Sequence, residues 1–244
     1  MFTGIVQAIG RVERVESRGR ALKLAVDVSG LPRLPAEGGS ISVDGACLTV
    51  ASLKGTIALF DVVEETVSRS TLGALRPGAR VNLEGALAAG DPLDGHVVLG
   101  HVDGVGELLS ARVLTASRVC RFSMPPEMAP LVAEKGSIAV NGVSLTVTEA
   151  GREGFSVSLI PETDKRTNLG SLQNGAKVNL EADLFARYAA RLCAFASSDS
   201  SAPLSSPGLS TLSASDRTTL PPSGLKPLSS PGLMEKKLRE HGYL

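Results

Sequence analysis

The chain has no tryptophan, and aromatic residues make up only 3% of its 244 positions. Any core must therefore be built mostly from Val, Leu, Ile and Ala, which an apolar content of 43% can supply. Net charge is missing as well, because 25 Lys and Arg balance 25 Asp and Glu. That balance excludes the electrostatic footprint of a protein that binds a nucleic-acid backbone or an anionic membrane surface. Cysteine is scarce: Cys47, Cys120 and Cys193 are too few and too far apart for a disulfide framework, and no CxxC pair marks a metal site. Cys120 and Cys193 are expected to be packing residues. No stretch approaches the roughly 18–20 apolar residues of a membrane span. The start, Met1-Phe2-Thr3-Gly4-Ile5-Val6-Gln7, lacks the cationic region and apolar run of a signal peptide. These absences lead us to expect a soluble protein of the reducing cytoplasm.

What the chain does have is an internal duplication. Ser40-Ile41-Ser42-Val43-Asp44-Gly45-Ala46-Cys47-Leu48-Thr49-Val50 returns as Ser137-Ile138-Ala139-Val140-Asn141-Gly142-Val143-Ser144-Leu145-Thr146-Val147, with seven of eleven positions identical at an offset of 97. Glu65-Thr66 returns as Glu162-Thr163 at the same offset, and Gly78-Ala79-Arg80-Val81-Asn82-Leu83-Glu84 as Gly175-Ala176-Lys177-Val178-Asn179-Leu180-Glu181. With one residue of slip, Gly4-Ile5-Val6 and Gly10 match Gly100-His101-Val102 and Gly106. The spacing is too long for a solenoid unit and suits a small domain. Within each copy the apolar segments are short and β-rich, as at Ile41–Val43, Ala46–Leu53, Ile57–Val62 and Arg80–Leu83. Asp44-Gly45 and Asn141-Gly142 tolerate the positive φ of a type I′ turn, so each predicts a tight hairpin. Many short strands with frequent turns favour a closed barrel or a sandwich for each copy.

Asp183–Phe195 is different. Leu184, Tyr188, Leu192 and Phe195 recur on one helical face, and Asp183 is positioned to pair with Arg187. Such a helix either packs on its own barrel or drives assembly. From Ala196 onward the composition turns to Ser, Pro, Leu and Gly, which cannot bury enough surface to offset the entropy of ordering. Residues 197–244 are expected to be a disordered tail.

Beyond the repeat, Met1-Phe2-Thr3-Gly4-Ile5-Val6, Gly45-Ala46-Cys47-Leu48-Thr49-Val50 and Gly95-His96-Val97-Val98-Leu99-Gly100-His101-Val102-Asp103-Gly104 together resemble the riboflavin synthase α-chain family. Lys135-Gly136-Ser137-Ile138, Gly142-Val143-Ser144-Leu145-Thr146-Val147 and Leu159-Ile160-Pro161-Glu162-Thr163 add to the resemblance, which covers about residues 1–192. It implies a mainly β chain of two tandem six-stranded, Greek-key-like β-barrels: an N-terminal lumazine-binding barrel at 1–96, a C-terminal one at 97–182, and a trimerisation helix at 183–196. The implied reaction transfers a four-carbon unit between two molecules of 6,7-dimethyl-8-ribityllumazine, giving riboflavin and a ribitylamino-pyrimidinedione. No cofactor is implied, and the sequence carries no P-loop pattern. A homotrimer is the implied assembly, and association with lumazine synthase stays open. The alternative on the same fold is a non-catalytic lumazine- or flavin-binding protein. A flavin-dependent reductase barrel and a pure assembly module are the rivals from other classes.

The resemblance carries the ligand contacts over as two sets. The first is Gly4, Ile5 and Val6, with Cys47, Leu48 and Thr49, and Asp61, Val62, Val63, Glu64, Glu65 and Thr66. The second is Gly100, His101 and Val102, with Lys135, with Ser144, Leu145 and Thr146, and with Leu159, Ile160, Pro161, Glu162, Thr163 and Asp164. One substrate donates carbons and the other accepts them, so the copies should differ where the chemistry happens. They do: Cys47 aligns with Ser144, Ile5 with His101 and Gly38 with Lys135. His101 carries an imidazole, which suits general acid–base work. Cys47 suits a nucleophile or a weak hydrogen-bond partner, Ser144 a hydrogen bond to a polar ring, and Lys135 an anionic lumazine. Phe2 either stacks near a bound ring or pins the first strand, and His96 is expected to be structural.

Overall fold

Asp44 and Asn141 both have φ of 45°, and the glycines that follow them have φ of 79° and 76°. Two successive positive φ angles make a type I′ turn. Both predicted hairpins therefore form, joining β3 (Ser40–Val43) to β4 (Ala46–Lys54) and β9 (Ser137–Val140) to β10 (Val143–Ala150). The computed structural model describes residues 1–198, and the sequence tail beyond lies outside the described residues.

Around the first hairpin stand β1 (Ala8–Arg18), β2 (Ala21–Asp27), β5 (Ile57–Val62) and β6 (Arg80–Gly85). They close in the order β1-β2-β5-β4-β3-β6. The second copy adds β7 (Gly104–Val113), β8 (Arg118–Ser123), β11 (Gly154–Leu159) and β12 (Lys177–Ala182) and closes the same way. Closure leaves no sheet edge to aggregate. The strands bend to close at bulges that repeat with the sequence. Register shifts fall between Val12 and Arg14 and between Leu108 and Ser110, then between Val50 and Ser52 and between Val147 and Glu149. Strand alternation puts Leu24, Val26, Ile41, Val50, Phe60 and Leu83 inside the first barrel. Phe122 and Phe155 stack at 5.7 Å inside the second, among Leu108, Ile138, Val157 and Leu180.

Two short helices follow the fifth strand of each copy: α1 (Glu64–Arg69) and α2 (Pro161–Arg166). At six residues each they are too short to show a helical period in the sequence.

The barrels meet tip to tip at the two type I′ turns. A Cβ added to Gly45 would lie 2.6 Å from the backbone nitrogen of Gly142, so neither turn tolerates a side chain there. A polar lattice surrounds this contact. Asn82 Nδ2 donates to the Asn141 carbonyl at 2.9 Å, and its counterpart Asn179 donates to the Asp44 carbonyl at 2.8 Å. Thr71 N–H donates to Asn179 Oδ1 and Asn168 N–H to Asn82 Oδ1, both at 2.7 Å. Asp44 breaks the two-fold pattern, because it stands where the other copy has Asn141. Its Oδ1 accepts from Asn82 N–H and Asn168 Nδ2, and complete burial pushes its carboxyl up to about 7.

The terminal helix α3 (Leu184–Ser198) forms where its periodicity requires. Its expected internal pair does not. Arg187 reaches Asp103 at 2.6 and 2.7 Å, while Asp183 Oδ1 accepts the N–H of Phe185. Asp103 lies close to the barrel wall, and its Oδ2 also accepts the N–H of Ala182. The pair thus ties the helix to the second barrel. Phe185, Tyr188 and Leu192 are exposed. Cys120 is buried as expected, whereas Cys193 sits exposed on α3, in a part of the helix where Leu192 and Phe195 are exposed as well. Among the described residues no helix is long and apolar enough to cross a membrane.

Candidate active site

Each barrel is preceded by a short extended segment, Thr3–Val6 for the first and Leu99–Val102 for the second. The two segments cross beside one another, with Phe2 and Val98 exchanging backbone hydrogen bonds at 2.7 and 3.1 Å. Each then lies on the other barrel. The N–H of Ser144 donates to the Gly4 carbonyl at 2.8 Å, and the N–H of Cys47 donates to the Gly100 carbonyl at 2.8 Å. The two glycines have φ of 76° and 77°. A Cβ on either would stand 2.6 Å from the Cβ of the facing Ser144 or Cys47, so the approach requires glycine twice over.

The crossing regroups the expected contacts. Gly4, Ile5 and Val6 belong with Ser144 and Thr146, and Gly100, His101 and Val102 belong with Cys47 and Thr49. Sequence matching assigned each segment to its own barrel, because an alignment of repeats carries no information about exchange between them.

Two matched glutamates hold the segments in place. Glu84 accepts from the N–H and hydroxyl of Thr3, at 2.6 and 2.8 Å, and from the N–H of Gly4 at 3.0 Å. Glu181 accepts from the N–H groups of Leu99, Gly100 and His101 at 2.7, 2.9 and 3.1 Å. Burial raises both carboxyls, that of Glu181 to about 7, even though the N–H donors favour the charged form. Neither glutamate was expected at the site. Their only sequence signal is that both end the block Gly78–Glu84 and its repeat Gly175–Glu181.

On the first barrel the result is a cleft of about 300 Å³ lined by Ala46, Cys47, Glu65, Thr66, Arg69, Gly100, His101 and Val102. Cys47 and His101 thus share one cavity although they lie in different repeats. Arg69, which sequence reasoning missed, pairs with Glu65 at 2.8 Å across one turn of α1. Its counterpart Arg166 faces Glu162 at 3.5 Å.

Other expected residues divide between cavity, wall and surface. Cys47 and Thr49 point outward from β4, while Leu48 between them is buried in the barrel core; Ser144, Thr146 and Leu145 repeat the pattern on β10. Val62 and Leu159 are core residues as well, and Val63, Ile160, Pro161 and Thr163 lie at the starts of α1 and α2. Asp61 faces away from the cleft and pairs with Lys23 at 3.2 Å, and Glu64 pairs with Arg20 at 2.8 Å. Asp164 is held by Arg118 at 3.2 Å. The ring of Phe2 is fully buried with Val98 and Ala139 beneath the crossing, beside Cys47. Its backbone holds the crossing, and its ring is not among the groups lining the cleft. Lys135 is exposed in a left-handed turn with φ of 66°, where the first copy has Gly38 at 80°. A lysine held where glycine costs least is a strained choice. Among the described residues no group of three His, Cys, Asp or Glu is arranged to hold a metal ion.

Residues 3–86 and 99–183 each match the Lumazine binding domain family. Proteins named riboflavin synthase are similar along most of the chain. That of Mycobacterium tuberculosis (strain H37Rv) is 46% identical, covering 79% of this chain and 98% of its own. That of Brucella abortus is 39% identical, covering 80% and 99%. Among solved structures, LumP complexed with riboflavin has a TM-score of 0.68 at 24% identity, covering 75% of this chain and 99% of that one. Its likeness is one of fold. Two lumazine-binding domains in tandem, matched nearly end to end by these relatives, show that the chain belongs to the riboflavin synthase family.

Proposed function

We propose that this protein is a riboflavin synthase, a transferase that converts two molecules of 6,7-dimethyl-8-(1-D-ribityl)lumazine into riboflavin and 5-amino-6-(D-ribitylamino)uracil. The observation that carries this reading is the pair of two-fold-related sites, alike in scaffold and unlike at three positions. A reaction between two copies of one molecule needs two similar sites, and a donor and an acceptor need them to differ. Holding both rings in place makes the encounter effectively unimolecular, an advantage on the order of 7–11 kcal/mol.

Within the first site, His101 and Cys47 face one cavity, so a proton can move to or from a bound ring by the imidazole while the thiol contacts it. Glu65 and Thr66 supply polar contacts at the opposite wall, with Glu162 and Thr163 as their counterparts. Ser144 and Thr146 serve the second ring. Lys135 keeps its side chain despite its strained backbone, which supports a role as counter-charge to an anionic lumazine. The exposed apolar residues of α3 support assembly as a homotrimer, and the reading assumes work in the cytoplasm.

The test is to incubate purified protein with the ribityl-lumazine alone and follow the absorbance of riboflavin. Conversion is expected without any added cofactor. Tight binding without conversion would identify a non-catalytic lumazine- or flavin-binding protein instead. Light scattering on the same sample should give a trimer, and a monomer would refute the role assigned to α3.

A further inference from the structure

We infer that His96 is a positioning residue, whose ring donates from Nδ1 to the hydroxyl of Ser144 and thereby makes that hydroxyl a hydrogen-bond donor toward the ligand at the second barrel's site. The inference rests on the proposed lumazine reading for the identity of that ligand.

His96 Nδ1 lies 2.7 Å from Ser144 Oγ. The residue is 9% exposed, and its backbone N–H donates to the Thr3 carbonyl, so it is wedged into the crossing next to the segment that covers Ser144. Gly95 makes room: a Cβ there would stand 3.1 Å from Ser144 Oγ.

The other ring nitrogen decides the direction of the bond. Nε2 is sealed from solvent and has no protein partner. A proton on Nε2 would be a buried donor with nothing to receive it, whereas a lone pair there is the lesser cost, since orphaned N–H groups are the rarer kind. Placing the proton on Nδ1 gives it an acceptor at hydrogen-bond distance. Burial also disfavours the charged ring and lowers the pKa of His96, which keeps a single proton to be placed. Ser144 Oγ therefore accepts from His96, and its own proton is free to point elsewhere. Its repeat partner Cys47 lines the first cleft, so that direction is toward the ring bound at the second. The carbonyl oxygens and ring nitrogens of a lumazine are acceptors for it.

Among the described residues, no histidine ring is hydrogen-bonded to Cys47, the matched position in the first barrel, as His96 is to Ser144. The two sites thus differ in the fixed polarity of a hydrogen bond as well as in Cys47 against Ser144.

The chain has three histidines, so nitrogen-15 labelling of histidine gives a spectrum simple enough to read. We expect one neutral ring with its proton on Nδ1, assigned by its loss in His96→Asn, with shifts that move in Ser144→Ala and on saturation with riboflavin. A ring protonated on Nε2, or one indifferent to Ser144→Ala or to riboflavin, overturns the inference. This arm does not depend on how the leucine variant folds. In turnover, His96→Leu should lose roughly tenfold, His96→Asn should recover most of it by returning an N–H near the Nδ1 position, and His96→Leu should cost under about twofold in a Ser144→Ala background. Equal losses in both backgrounds would make His96 a packing residue. If the parent binds riboflavin and shows the Nδ1 tautomer but turns over no lumazine, the reaction reading fails while the His96–Ser144 device stands.

Discussion

Gly100 of the second repeat is pressed against Cys47 of the first: its carbonyl accepts the Cys47 N–H at 2.8 Å, and a Cβ added to it would stand 2.6 Å from the Cβ of Cys47. The first site is built from both repeats. Gly100→Ala must strain a backbone with φ of 77° and push the segment off β4. We expect a loss of stability of about 1–2 kcal/mol in thermal unfolding, with weakened riboflavin binding in a fluorescence titration. Unchanged binding would mean that the segment does not complete the site.

The crossing also bears on the first repeat as a fragment. Residues 1–96 contain every strand of the first barrel but end before Gly100, His101 and Val102. The fragment should fold, as judged by circular dichroism, yet bind riboflavin weakly as a monomer. Extension to residue 103 should restore binding. A monomeric 1–96 fragment that binds as tightly as the extended one would contradict the exchanged architecture.

Cys47 and Ser144 occupy equivalent positions on β4 and β10, each under the other repeat's glycine. Exchanging them singly, by Cys47→Ser and Ser144→Cys, changes little volume and should cost under about 1.5 kcal/mol of stability. If they face reacting rings, kcat should fall by at least roughly tenfold, or about 1.4 kcal/mol, for one or both variants, with less effect on binding. Near-wild-type turnover in both would remove this pair from the chemistry.

Asp44 makes stability depend on pH. Its carboxyl titrates near 7 in the fold and at its ordinary 3.8 when unfolded. Between those values the native state holds the extra proton, so this contribution is full below about pH 4 and is lost as pH rises through 7. Glu181 acts in the same sense, and His96, whose pKa is lowered, acts in the opposite one. Asp44→Asn isolates the first term. Asn141 already fills the matched turn at the same φ and accepts the N–H of Asn179 at 2.8 Å, so the amide fits. The variant should gain Tm relative to wild type at pH 8 and gain little at pH 5. A Tm difference that does not change with pH would show that Asp44 does not titrate in this range.

Much of the architecture is visible in the sequence because it depends on local pattern. Seven identities in eleven residues announce the duplication, Asp44-Gly45 and Asn141-Gly142 announce the hairpins, and the four-residue recurrence from Leu184 announces α3. Each rests on near neighbours along the chain: a positive φ, an alternation, a helical period. Candidate site residues are legible too, since Cys47, His101 and Ser144 stand out as places where the repeats disagree. What sequence could not supply is which of them meet. That Gly100 covers Cys47, that Arg187 leaves Asp183 for Asp103, that Phe2 is buried under the crossing, and that His96 reaches Ser144 are contacts between residues 48–96 positions apart. Local periodicity is the same whether a segment lies on its own barrel or on its twin. The crossing becomes visible only once the closed barrels stand tip to tip at Gly45 and Gly142.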